Sequence, residues 1–152
     1  MWGSVGEGNE TMNAKLFAIL ALAATILLSI AACSLPGLPT GDPLKGTSWR
    51  LVTLGRAGLI PGTEITATFE DGQVGGSAGC NHYGGSYRVS GDKLAADAAF
   101  MTEMACMNPP GVMEQEQAYV ELLGNAETFS VTEGRLEIVA ANGQSLTFRP
   151  AP

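Results

Sequence analysis

The sequence has 152 residues, of which 45% are hydrophobic and 15% are charged, and its formal net charge is −7 at pH 7. This length favours a single domain. The acidic balance and the lack of a basic patch argue against nucleic-acid binding, and net charge bears on solubility rather than on the fold.

The N-terminal part of the sequence carries a predicted export signal. Lys15 precedes an uncharged apolar run over residues 16–30, which two alanines and Cys33 follow. A positive start, an apolar core and small residues before a cleavage site are typical of a secretory signal. Residues 30–33, Ile-Ala-Ala-Cys, resemble the bacterial lipobox, where cleavage precedes a lipid-modified cysteine. As a helix the run would span about 22 Å, short of the ~30 Å apolar core of a bilayer, so a transmembrane anchor is the weaker alternative.

These features predict three parts of the chain. Residues 1–32 would be upstream sequence and signal peptide, and two glutamates near the N-terminus make Met12 the better translation start. Residues 33–44, rich in proline and glycine, would be a tether that begins at lipidated Cys33. The folded domain is expected over residues 45–150.

The first half of the domain is rich in strand and hairpin signals. Residues 47–54 carry many β-branched and aromatic side chains, as strands do. In residues 64–70 apolar side chains alternate with threonines, which predicts one buried face. The side chains expected to face inward are Ile65, Ala67 and Phe69. Asp71-Gly72 favours a type I′ hairpin turn, because both central residues of that turn need positive φ.

A glycine-dense stretch over residues 75–87 follows. Apolar and aromatic residues are interleaved with its glycines, which disfavours a flexible linker. Glycine inside a strand usually marks a bulge, a bend or the close approach of another backbone. We therefore predict two short, strongly bent strands with residues 81–85 as the turn between them.

Residues 100–106 are predicted to be extended, and a helix is predicted after them. Asn108 is expected to cap this helix, with two prolines in its first turn, and Gly124-Asn125 to end it. Apolar and polar residues separate onto two helical faces. The apolar face has Val112, Met113, Tyr119, Val120 and Leu123, and the polar face has Glu114, Gln117 and Glu121. Glu116 lies beside the apolar face, and we interpret it as a solvated edge residue.

The C-terminal part is predicted to be a meander. Residues 128–132 turn at Glu133-Gly134 into residues 135–140, and Asn142-Gly143 is a further type I′ signal before the last strand. Together these signals give about seven or eight short strands and one helix. They predict a mainly β (α+β) fold, a small curled antiparallel pseudo-barrel with one helix packed on it.

The order of these motifs resembles the META domain of heat-shock lipoproteins of the HslJ type. The matching segments are residues 46–51 (GTSWRL), residues 79–87 around Gly79, Cys80 and Asn81, residues 101–106 (MTEMAC) and residues 114–116 (EQE). The resemblance covers residues 45–150. It implies a compact β-rich pseudo-barrel and an envelope role linked to heat or antibiotic stress, with no enzyme activity and no agreed ligand. It also implies that Gly79, Cys80 and Asn81 form a structural signature rather than an active site.

The two cysteines of the domain, Cys80 and Cys106, are most simply a disulfide if the chain is exported to an oxidising compartment. Closing the loop between them would stabilise the fold by about 3.5 kcal/mol in the chain-entropy treatment. A reduced buried pair is one alternative, and a metal or redox site that includes His82, the only histidine, is another.

No catalytic constellation is recognisable, and we predict no metal and no cofactor. His82 has no orienting acid near it in sequence, no G-x-S-x-G elbow surrounds Ser77 or Ser86, and the glycine-rich stretch lacks the lysine of a phosphate loop. Four methionines near the helix are interpreted as core side chains rather than soft-metal ligands, because methionine fills irregular gaps. They are Met101, Met104, Met107 and Met113.

The sequence thus predicts a non-enzymatic bacterial envelope lipoprotein, held to a membrane by the lipid on Cys33 and facing the periplasm. It would act through contacts with an unidentified envelope protein or through envelope maintenance. Ser34 after the cysteine resembles an outer-membrane sorting signal in a bacterium with two membranes. The alternative is a module whose barrel mouth binds a small apolar molecule such as an antibiotic. A roomy interior would support that alternative, and a filled one would oppose it.

Overall fold

The computed structural model describes residues 41–152. The predicted signal, the lipidation of Cys33 and residues 33–40 of the tether lie outside these residues. The elements of the described part are β1 (Thr47–Leu54), β2 (Ala57–Gly58), β3 (Thr66–Glu70), β4 (Gln73–Ser77), β5 (His82–Ser90), β6 (Lys93–Ala96), β7 (Phe100–Met101), α1 (Val112–Gly124), β8 (Ala126–Thr132), β9 (Arg135–Ala140) and β10 (Ser145–Pro150). No helix within residues 41–152 has the length and apolar character needed to cross a membrane.

Eight of these strands close into an antiparallel barrel. Their order is β1-β3-β4-β5-β6-β8-β9-β10, and β10 pairs back with β1 to complete the ring. The two-residue strands β2 and β7 add to β1 and β5, respectively. The predicted fold class, a mainly β pseudo-barrel with one helix packed on it, is confirmed.

Tight hairpins connect most neighbouring strands, and local sequence specifies them. Asp71 and Gly72 have φ of 44° and 78°, as the predicted type I′ turn requires. The turn at residues 140–143 differs from the prediction, because only Gly143 takes a positive φ, 77°. The Gly143 amide donates to the Ala140 carbonyl, so the loop has the type I geometry of a longer hairpin connection.

The glycine-dense stretch forms β4, a turn and β5. A Cβ on Gly76 would lie 2.3 Å from the Thr66 carbonyl oxygen, and one on Gly85 would lie 2.2 Å from the Asp97 carbonyl oxygen. Of the usual roles of glycine inside a strand, these two positions therefore show the close approach of another backbone. The predicted turn at residues 81–85 is wrong: the turn occupies residues 78–81, because Gly84 and Gly85 continue the ladder with β4.

The barrel interior is filled by apolar side chains. The side chains of residues 64–70 that were predicted to face inward are all fully buried, and Phe69 meets Tyr87 edge to face at a centroid distance of 4.9 Å. Other large, fully buried side chains are Leu44, Leu51, Leu94, Leu136, Ile138, Leu146 and Phe148. This packing gives the barrel a continuous apolar core.

Helix α1 packs on the outside of the barrel and begins later than predicted. Gly111 precedes it in a left-handed conformation, with φ of 86°, so Asn108 is not the cap and the prolines stay outside the helix. Its end at Gly124, followed by Asn125, is as predicted. The segment before it is also less regular than predicted, because only Phe100–Met101 is a strand. We call residues 102–107, between β7 and the prolines, the strap.

Candidate functional site

The strap is fastened to the barrel by a disulfide. Cys80, in the turn between β4 and β5, is bonded to Cys106, with an S–S distance of 2.00 Å and a Cα–Cα distance of 6.0 Å. The predicted disulfide is therefore present. It ties the Gly79-Cys80-Asn81 turn to the end of the strap.

The Asn81 side chain makes a second attachment. It is 2% exposed, and its Oδ1 accepts hydrogen bonds from Thr102 Oγ1 at 2.8 Å and from the Met104 amide at 2.7 Å. Its Nδ2 donates to the Met104 carbonyl at 3.1 Å. A single amide thus pairs with the strap backbone as a neighbouring strand would, which satisfies polar groups that the short β7 leaves unpaired.

Glu116 completes this network from the helix side, and the prediction that it is a solvated edge residue is wrong. The residue is 4% exposed. Its Oε2 accepts from the Asn81 amide at 2.6 Å, and its Oε1 accepts from Asn81 Nδ2 at 2.8 Å. Two N–H donors offset part of the cost of burying a carboxylate. Its position four residues from both Val112 and Val120 is the signal that places it on the apolar face.

No cation within residues 41–152 pairs with Glu116. The ion pairs of this part of the chain are Lys45 with Asp71 and Arg50 with Glu64, and both lie elsewhere. A carboxylate has about four acceptor positions, and Asn81 uses two of those on Glu116. The buried Glu116 carboxylate therefore has room for a further donor.

A surface groove runs between the strap and the outer side of α1. Two cavities of about 550 and 470 Å³ form it, and both are lined by Met101, Met113 and Glu116. The other lining residues are Glu114, Gln117, Val120 and Glu121 in the first cavity, and Asn81, Thr102, Glu103, Met104 and Ala105 in the second. We call this feature the methionine groove.

Met101 packs against the core cluster, in line with the predicted core role of the methionines, but for Met104 and Met107 that prediction is wrong. Met104 and Met107 are 52% and 82% exposed, and Phe100, just before the strap, is 65% exposed. Met101 and Met113 are half-buried in the groove walls. The polar contacts of the strap point inward to Asn81, so its apolar side chains face solvent. Clustered exposed apolar side chains on a small domain usually mark an interaction site.

The charge around the methionine groove has one sign. Between Lys93 and Arg135 the chain has seven acidic residues and no lysine or arginine. They are Asp97, Glu103, Glu114, Glu116, Glu121, Glu127 and Glu133. Four of them line the groove. The spacing of charges along the sequence could have revealed this acidic segment, whereas the total net charge does not.

The remaining candidate residues do not converge on a reaction centre. His82 is exposed at the start of β5, Ser77 donates to the Glu64 carbonyl, and Ser86 bonds to Asp97. Within the described part of the chain, no group of three or more His, Cys, Asp or Glu residues is placed to hold a metal ion. The two cysteines of the alternative metal or redox site are joined to each other instead.

The barrel interior is not a binding cavity. Apolar side chains from every part of the ring fill it, and both cavities of the methionine groove lie outside the barrel. By the criterion that a filled interior opposes ligand binding at the barrel mouth, this packing argues against the small-ligand alternative.

Comparison with known proteins agrees with this architecture. The model of a family described as the META domain matches residues 42–152. The NMR structure of a protein from Burkholderia xenovorans is 28% identical, with a TM-score of 0.60, and the match covers 78% of this chain and 97% of that chain. A second NMR structure is 24% identical, with a TM-score of 0.57 and coverage of 70% and 91%, and it bears on the fold alone. A search of curated proteins found no match.

Proposed function

This chain belongs to the META domain family, and from that membership we propose that it is a non-enzymatic bacterial envelope lipoprotein that docks partner proteins in its methionine groove. The lipid on Cys33 would hold the chain to a membrane, and the tether would present the domain to the periplasm. The stress link, heat or antibiotic exposure, comes from the resemblance to heat-shock lipoproteins.

One observation carries the docking proposal: two strongly exposed apolar side chains, Met104 and Met107, lie on a segment that is itself firmly held. The strap has little regular structure, yet the disulfide and the Asn81 side chain fix it. A fixed backbone lowers the entropy lost on binding. Flexible methionine side chains on that backbone can adapt to the surface of a partner.

The proposal is tested by restoring function in cells that lack the gene. We expect Met104→Gln combined with Met107→Gln to fail to restore growth under heat or antibiotic stress, because Met104 lines the groove and Met107 is exposed on the same strap. The matched control is Val52→Gln combined with Val131→Gln, which changes two exposed apolar residues of β1 and β8. Full restoration by the groove variant, at equal protein level, would contradict the docking proposal.

The anchor is tested separately on protein purified from membranes. We expect the intact mass to show cleavage before Cys33 and a lipid adduct on that residue. A Cys33→Ser variant should lose the adduct and leave the membrane fraction. An unlipidated chain that begins at Met1 or Met12 would contradict the lipoprotein part of the proposal.

A further inference from the structure

We infer that the partner segment in the methionine groove is a cationic amphipathic helix, which places one lysine or arginine between Met101 and Met113 to reach Glu116. This inference rests on the proposed docking function and specifies the chemistry of the partner. Its basis is the geometry of one buried carboxylate and the charge around it.

Glu116 is the anchor point. It lies where the two cavities meet, since both share it together with Met101 and Met113. The residue is 4% exposed in all, and its two hydrogen bonds both come from Asn81. A cation that reaches it through the groove would use its free acceptor positions. The stem of a lysine or arginine would meanwhile pack against the two thioethers.

The rim of the groove selects the sign of the partner's charge. Glu103, Glu114 and Glu121 line the groove, and no lysine or arginine does. Complementary charge steers association and rejects partners of like charge. This rim disfavours an anionic lipid surface and a second copy of this acidic domain, and it favours a basic protein segment.

The shape of the groove fits a helix. Its wall on α1 extends from Met113 to Glu121, about 12 Å along the helix axis. This length matches about two turns of a bound helix. Amphipathic helices bind apolar grooves through side chains at i, i+3, i+4 and i+7, and methionine-rich grooves accept many such sequences.

The test uses the full-length chain in nanodiscs of zwitterionic lipid, with empty nanodiscs as the blank. The probe is a synthetic 14-residue helical peptide with leucines at i, i+3, i+4 and i+7 and lysines at the other positions. The control peptide has glutamine in place of every lysine. We expect the lysine peptide to bind at least about ten-fold more tightly, with an affinity that falls as salt rises.

Rim variants locate the peptide. Glu114→Lys combined with Glu121→Lys should weaken the lysine peptide about five-fold or more, because attraction becomes repulsion at two exposed groove positions. The matched control is Glu127→Lys, an exposed residue of the same acidic segment outside the groove, and it should change the affinity less than two-fold. Glu116→Gln should also weaken binding, provided that its thermal unfolding shows an intact fold.

Each other result overturns the inference in a distinguishable way. Equal binding of both peptides would mean that the groove selects apolar side chains and not charge. The cationic partner would then be rejected, and the proposed protein docking would be retained. No binding of either peptide would reject the helical partner, whereas the complementation assay would still decide the docking proposal. A further probe is the neutral dye N-phenyl-1-naphthylamine, followed by the NMR signals of the methionine methyl groups. If the dye shifts these signals and neither peptide does, the groove binds a small apolar ligand instead of a helix. If the unmodified chain self-associates and the rim variant does not, the occupant of the groove is a second copy of the chain.

Discussion

The barrel and the strap–helix layer of this domain hold their shape in different ways. In the barrel, apolar side chains point inward and a closed ladder of backbone hydrogen bonds supports them. In the layer made by the strap and α1, the strap backbone faces Asn81 of the β4–β5 turn and α1 buries the Glu116 carboxylate within its apolar face, while Met104 and Met107 point outward. A disulfide supplies the constraint that a backbone ladder supplies elsewhere.

This difference explains where a binding surface can arise on so small a domain. The core of the barrel needs nearly all the large apolar residues of its strands, so those residues are not available for binding. The strap is held by Asn81 and Cys106 and does not need its own apolar side chains for folding. The methionines are therefore free to contact a partner.

The largest expected effect on stability comes from comparing two phenylalanine substitutions, one in the barrel core and one beside the strap. Phe69→Ala should lower the free energy of unfolding by about 3–5 kcal/mol, because it opens a cavity in the filled barrel. Phe100→Ala, at the edge of the strap and 65% exposed, should lower it by less than about 1 kcal/mol. Denaturant unfolding of both variants measures this contrast. Similar losses would mean that the strap side chains are as structural as the core.

The second test removes the constraint on the strap. Cys80→Ser combined with Cys106→Ser should lower the free energy of unfolding by about 3.5 kcal/mol, by the loop entropy released in the unfolded chain. We also expect amide hydrogen exchange to quicken most at the strap, including the Met104 amide, and least in β1 and β10. Uniform quickening throughout the barrel would show that the two regions unfold as one unit.

The third test removes the Asn81 side chain. Asn81→Ala should lower the free energy of unfolding by about 2–3 kcal/mol, because Glu116 loses one of its two donors and the Met104 amide loses its acceptor. The matched control is Asn125→Ala, because the exposed Asn125 side chain donates only one hydrogen bond, to the Glu121 carbonyl. This substitution should lower the free energy of unfolding by less than about 1 kcal/mol. Equal losses of unfolding free energy in the two variants would mean that the Asn81 side chain contributes no more to stability than an exposed asparagine.

The barrel was largely predictable because its signals are local. Alternation in residues 64–70 needs only the two-residue period of a strand, and Asp71-Gly72 needs only the steric limits on φ. The glycine-dense stretch was correctly predicted to form two strands, but the turn between them was misplaced. Which glycines take positive φ, and which continue a ladder, depends on the partner strands, and the sequence of one strand does not contain that information.

The groove was not predictable to the same degree, since its residues act through tertiary contacts. Glu116 looks like an edge residue until Asn81, far away in sequence, brings two donors to it. Met104 and Met107 look like core residues until the strap is seen to turn its polar backbone inward. The periodicity of apolar residues in the sequence does not distinguish an apolar residue of the core from one that is exposed at a surface groove.

The smallest expected effect lies at the contact between the two regions, where Tyr83 of β5 and Tyr119 of α1 share a hydrogen bond of 2.6 Å between their hydroxyl oxygens. Burial raises the pKa of both tyrosines above the ordinary value of about 10. The unfolded chain therefore releases these protons at lower pH than the folded chain does. Stability from this difference is complete below about pH 10 and is lost as the pH rises above it.

For each buried tyrosine, the free energy of unfolding should fall by about 1.4 kcal/mol per pH unit above about pH 10. Tyr119→Phe removes one of these groups, so the slope of unfolding free energy against pH should become shallower by that amount. Denaturant unfolding between about pH 9 and 11 measures the slope, and wild-type protein is the reference. An unchanged slope would mean that the Tyr119 hydroxyl ionises equally well in the folded and unfolded chain. The helix would then not seal that hydroxyl against the barrel, and the layer would open without unfolding the core beneath it.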